Sequence, residues 1–181
     1  MALPDQMKNM SLPVIGSPLF IISNPDLVIA QCKAGVIGSF PALNARPAEL
    51  LDQWLERITR ELADYKAANP DAEVAPYAVN QIIHTSNDRL PHDMEVCAKY
   101  KVPMIITSLS APTEIVPRVH DWGGVVFHDV INVRHAKKAI EAGVDGLILV
   151  CAGARGPARA HSPLPRGPGG REFWGGPLAP A

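Results

Sequence analysis

The sequence predicts an α/β fold in which a parallel sheet grows from successive βα units, and three observations carry that expectation. Short apolar runs alternate with longer amphipathic stretches along most of the 181 residues. The later runs are nearly continuous in Val, Ile, Leu and Phe, the composition of strands covered on both faces by helices. The junctions also repeat: Ala34-Gly35-Val36-Ile37-Gly38 is matched by Ala142-Gly143-Val144-Asp145-Gly146, with a looser copy at Trp122-Gly123-Gly124-Val125-Val126. Each reads as a helix that ends on a glycine and passes at once into a strand.

In chain order the candidate strands are Leu12 to Ile15 with Leu19 to Ile22, Val36 to Phe40, Tyr77 to Ile83, Met104 to Leu109, Val125 to Val130 and Gly146 to Val150. Between them, Arg46 to Ala68 places Leu50, Leu51, Trp54, Leu55, Ile58, Leu62 and Tyr65 at helical spacing, with Glu49, Asp52, Glu56, Arg57 and Arg60 turned elsewhere. Asn24 before Pro25 is an N-cap followed by proline at the first helical position, and Asn132 caps a helix through Ala136 and Ile140. About six units fit before Ala154, whereas a closed eight-unit barrel needs about 250 residues. The pattern therefore predicts an incomplete (β/α)8 barrel, with a doubly wound open sheet as the alternative.

The bulk numbers exclude several classes. A hydrophobic fraction of 47% with 19% charged supports a sizeable core, and 17 basic against 18 acidic residues leave a formal charge of -1. These charges are interspersed, so nothing points to nucleic acid or to a lipid surface, and a small neutral or anionic substrate is expected. No apolar run reaches the roughly 18 residues of a membrane helix, and the start lacks the pattern of a signal peptide. Cys32, Cys97 and Cys151 are odd in number and lie in apolar stretches, which suits a reducing, cytoplasmic setting. No His-Glu-Xaa-Xaa-His, CxxC or paired-carboxylate spacing occurs, which speaks against a metal site and against glycoside hydrolysis.

The expected organisation is an N-terminal extension over residues 1–11, a partial barrel over 12–154 and an aberrant tail over 155–181. That tail holds six Pro, six Gly and four Arg in 27 positions, with neither helical nor strand period. It is expected to be irregular and not to extend the barrel.

The stretch from Val102 to Ala154 resembles the nitronate monooxygenase family, formerly the 2-nitropropane dioxygenases. The likeness rests on the opening Val102-Pro103, the strand ending His128-Asp129-Val130, the helix start Val133-Arg134-His135-Ala136 and the joint Ala142-Gly143-Val144-Asp145-Gly146. The opening PVIGSPLFIIS is similar to the family's first strand and loop, and Tyr77 to Gln81 to its third strand. The resemblance implies an FMN-binding TIM barrel that oxidises alkyl nitronates with dioxygen to a carbonyl compound and nitrite. It implies further that the flavin lies at the C-terminal ends of the strands. Pro18, Leu19 and Phe20 would then lie along the flavin ring, Asn80 would bond its polar edge, and His128, Asp129 and Gly153 would complete the cofactor site. Some members carry a lysine where Asp129 stands. Gln81 would point away from the site, and the other histidines are expected to be solvated or structural.

After Ala154 the family continues through a glycine pair to a histidine that serves as its base, but here Pro157 occupies that place. A proline ring accepts no proton, and His161 comes four residues late. Arg171 to Ala179 again resembles the family's helix end and next strand, so residues 155–170 read as a frame disruption between two family-like segments. On this reading the chain as it stands is inactive, retains FMN weakly, and associates through open sheet edges, a homo-oligomer being one outcome. The alternatives are a flavin-dependent enoyl-carrier-protein reductase using NAD(P)H and a non-catalytic barrel fragment.

Overall fold

A computed structural model describes residues 10–150 and 174–180, together with 4, 7 and 8. Helices and strands alternate: α1 (Pro25–Lys33), β1 (Gly38–Pro41), α2 (Leu50–Ala68), β2 (Tyr77–Ile83), α3 (Leu90–Lys99), β3 (Met104–Leu109), α4 (Ile115–Asp121), β4 (Val125–Val130), α5 (Val133–Glu141), β5 (Gly146–Leu149) and β6 (Leu178–Pro180). The six strands form one sheet in sequence order, every pair parallel. This is the arc of an incomplete α/β barrel. A doubly wound sheet would change strand direction of growth at a switch point, and this order does not.

Local chemistry accounts for the element ends. The Asn24 side chain accepts the Leu27 amide at 3.1 Å, and Asn132 accepts that of His135 at 2.8 Å, so both expected caps form. Gly35 and Gly143 follow their helices with φ of 76° and 86°, the left-handed turn that lets the chain drop directly into a strand. α2 buries Leu51, Leu55, Ile58 and Leu62 against the sheet side, each contributing about 1.5–3 kcal/mol by burial. Trp54 meets Phe40 of β1 edge-on at 5.5 Å, which fixes the helix over the first strand.

Three expectations are corrected. Leu19 to Ile22 is a turn, because Ile21 has φ of 66° and this stretch has no strand to pair with among the described residues; the preceding segment contributes a single parallel bridge, Ile15 to Ile37. α2 begins at Leu50 instead of Arg46, since Pro47 disfavours helical geometry at Arg46 and the next residues form tight turns. The tail does extend the sheet: Leu178, Ala179 and Pro180 pair with Leu147, Ile148 and Leu149 of β5. Residues 155–170, to which the frame disruption was assigned, lie outside the described residues.

The core has two layers. The larger lies between sheet and helices and includes Val79, Ile105, Val126, Val130 and Leu147. The smaller lines the inner face with Ile37, Ala78, Met104, Ile106, Val125 and Phe127. Met7 and Ala75 belong to the same inner cluster. Cys32 and Cys97 are free and buried, and burial lifts their thiols to about 11 and about 12. No helix among the described residues is long and apolar enough to cross a membrane.

Candidate functional site

Strand alternation sorts the candidate residues. On β2, Ala78 and Asn80 face inward while Val79 and Gln81 face the helices; on β4, Phe127 and Asp129 face inward while Val126, His128 and Val130 face outward. Asn80 and Asp129 thus share the barrel interior at the C-terminal ends of their strands, and Ser108 of β3 joins them. Asn80 Nδ2 donates to Ser108 Oγ at 2.9 Å and to the Ile106 carbonyl at 3.2 Å, and Ser108 Oγ donates to Asp129 Oδ2 at 2.7 Å. The row crosses three strands above a floor of Ala78, Ile106 and Phe127, all buried.

The chemistry of this row follows from its burial. Removal from water raises the Asp129 carboxyl above its ordinary 3.8, and the Ser108 hydroxyl offsets only part of that. Asn80 is buried at 6% exposure with its amide nitrogen held twice, while its Oδ1 accepts nothing among the described residues. The arrangement presents one free amide oxygen and a carboxyl shifted towards its neutral acid, side by side over an apolar surface. Among the described residues no group of three His, Cys, Asp or Glu is placed to hold a metal ion.

The loop from Gly16 to Ser23 stands at the same end. Asn44, just past β1, donates from Nδ2 to the carbonyls of Leu19 and Ser23 at 3.0 and 2.9 Å, and its Oδ1 accepts the Ile21 amide at 3.2 Å. Ser23 Oγ accepts the Leu19 amide at 2.9 Å, and Ser39 Oγ donates to the Gly16 carbonyl. Pro18 and Leu19 are half-buried, whereas Phe20, Ile21 and Ile22 project outward at 59%, 76% and 57% exposure. Arg46 lies over the Phe20 ring at 5.3 Å. With Leu109 and Ile131, also exposed, these side chains give the C-terminal end an apolar rim.

His128 is not brought to this row. Its ring is buried on the helix side, with Nδ1 2.8 Å from Thr107 Oγ1, and burial together with the nearby His135 lowers it to about 4. Gln81 also faces the helices, as expected, its amide reaching Cys97 Sγ at 3.5 Å. Gly153 and Pro157 lie outside the described residues. Sequence reasoning missed Ser108 and Asn44. Ser108 had a signal: it follows Met104 and Ile106 by twos and is a polar residue where an inward apolar one was due.

No family model matches the chain, and no curated protein matches it. Among solved structures the chain is similar to FabK from Thermotoga maritima, with a TM-score of 0.66 at 20% identity, covering 81% of this chain and 42% of that one. It is similar at the same TM-score of 0.66 to nitroalkane oxidase from Streptomyces ansochromogenes, at 17% identity over 80% of this chain and 47% of the other. Octameric ribulose-1,5-bisphosphate carboxylase/oxygenase from Pyrococcus horikoshii follows at 0.54 and 14% identity, over 75% of this chain and 37% of its own. The chain spans less than half the length of each of these structures. At such identities the likeness is one of fold.

Proposed function

We propose that the chain is the strand-bearing front of an FMN-dependent oxidoreductase, and within that class of the nitronate monooxygenase type, acting on small nitronates or nitroalkanes with dioxygen. The observation that carries this reading is the row Asn80, Ser108 and Asp129 above an apolar floor at the C-terminal ends of the strands, where barrels of this kind position cofactors and substrates. The likeness to a nitroalkane oxidase fold is compatible with it.

The residues fit a planar heterocycle with a polar edge. Asn80 Oδ1 is available to accept an N–H, because Ser108 and the Ile106 carbonyl hold the amide nitrogen in place. Ala78, Ile106 and Phe127 offer apolar contact beneath, and the loop that carries Pro18, Leu19 and Phe20 is tied to the same rim by Asn44. Bound there, FMN would supply redox chemistry between substrate and dioxygen that no side chain can. Asp129, whose carboxyl burial raises, accepts from Ser108 and is the group of the row nearest to any negative charge on a bound cofactor's polar edge. The row contains no histidine, since His128 faces the helices. Nitronates, which are already deprotonated, suit such a site better than neutral nitroalkanes, which need a base within reach of the reacting carbon.

Titrating the full chain with FMN tests the cofactor site, where weak binding without turnover is expected, and nitrite release from an alkyl nitronate by a full-length version tests the activity. Saturable binding that weakens about tenfold in Asn80→Ala is expected. Equal FMN affinity in Asn80→Ala and the parent chain would remove the site from consideration. NAD(P)H consumption without nitrite would replace the activity by one of the enoyl-carrier-protein reductase type.

A further inference from the structure

The inner face of the sheet is nearly free of charge. Along β1 to β5 its positions are held by apolar residues, by the neutral polar residues Ser39, Asn80 and Ser108, and by Asp129, the one ionisable group among them. Burial raises the Asp129 carboxyl and the Ser108 hydroxyl lowers it, with no neighbouring charge contributing. Arg46, a cation of the rim, is engaged elsewhere: it lies over the Phe20 ring and donates from Nε to the Leu43 carbonyl at 2.9 Å. The side that would face a bound ring therefore carries a single negative group and no inward cation among the described residues.

The hydrogen bonds of the row sharpen this bias. The hydroxyl proton of Ser108 goes to Asp129 Oδ2, and both protons of the Asn80 amide go to Ser108 Oγ and the Ile106 carbonyl. Every donor is thus committed within the row. What is left open is Asn80 Oδ1, on a side chain 6% exposed, and Asp129 Oδ1, neither of which has a partner among the described residues. Turning the Asn80 amide over to offer a donor would break both of its bonds. The row accepts hydrogen bonds and has nothing with which to neutralise a ligand's negative charge.

We propose that Asp129 makes the inner row select against negative charge on a bound ring, so that FMN binds more tightly oxidised than reduced by two electrons. The inference rests on the reading of the row as a flavin site. The oxidised ring is neutral and the reduced ring is an anion in mild alkali, so a fixed carboxylate beside its polar edge opposes only the second. Only the Ser108 hydroxyl stands between Asn80 and the carboxyl, and the floor beneath is apolar. Like charges several ångströms apart at an effective dielectric of about 20 repel enough to weaken binding about tenfold or more. By linkage the midpoint potential of bound FMN then lies below that of free FMN, by about 30 mV for each tenfold difference in affinity.

The test is anaerobic equilibrium dialysis of the full chain at about pH 8, where a carboxyl of modestly raised value is ionised, against oxidised FMN and against FMN reduced beforehand with dithionite. The parent chain is expected to hold the oxidised form about tenfold or more tightly than the reduced form. Asp129→Asn should remove most of that ratio by strengthening the reduced form, whereas Asp121→Asn, at the exposed end of α4, should leave it unchanged. Asn80→Ala should weaken both forms alike. Equal affinities in the parent, a ratio that survives in Asp129→Asn, or an equal change in Asp121→Asn would overturn the selectivity while leaving the flavin site standing. No saturable binding of oxidised FMN would overturn both together.

Discussion

Ser108 holds Asn80 on one side and Asp129 on the other, so the charge state of Asp129 governs the inner row. Because burial raises its carboxyl above 3.8, the folded chain binds that proton more tightly than the unfolded chain does. The group's contribution to stability is therefore complete below about pH 4 and is lost as pH rises through the folded value. Asp129→Asn is predicted to be more stable than the parent at neutral pH and to lose this advantage in acid, as read from urea midpoints. A less stable variant at neutral pH would mean that the Ser108 bond outweighs desolvation. His128 behaves with the opposite sign. Its folded value of about 4 lies below the ordinary 6.5, so its contribution is complete above pH 6.5 and is lost towards pH 4. The loss amounts to about 3 kcal/mol. His128→Gln should flatten that acid limb, and an unchanged limb would place the sensitivity elsewhere.

At the scale of elements, the loop between Gly16 and Ser23 is held by side chains instead of by a ladder. Asn44 alone makes three of its bonds. Asn44→Ala is predicted to leave the sheet intact, to destabilise the chain by about 1–3 kcal/mol and to speed proteolytic cleavage beside Phe20, as limited proteolysis would show. FMN affinity should fall with it under the proposed function; cleavage at the parent rate would show that Ser23 and Ser39 suffice. This loop also explains why Leu19 to Ile22 resembled a strand. Its apolar run is one that a rim displays to solvent and, on our reading, to a ligand, and composition does not distinguish a displayed run from a buried one.

At the scale of the molecule, β1 and β6 are the ends of the sheet order and do not pair with each other. β6 is short, and its outer edge has no partner strand among the described residues, an arrangement that invites pairing with another chain. The isolated 181-residue polypeptide is predicted to self-associate in a concentration-dependent manner, measured by sedimentation velocity. A strict monomer at every concentration would show that the edges are covered.

Continuous apolar runs, helical spacing in α2, the caps Asn24 and Asn132 and the repeated glycine joints are all local or periodic signals, which is why the class of fold is legible in the sequence. Asn80 stands out for the same reason, as an amide inside an apolar strand, and alternation already separated it from Gln81. Long-range contacts of the fold were needed to show that Ser108 links Asn80 to Asp129, that His128 faces the helices, and that Asn44 clamps a loop 21 to 25 residues away. These are contacts between strands and loops distant in sequence. They depend on the stagger of neighbouring strands, which a one-residue change would invert, and no local pattern encodes that stagger.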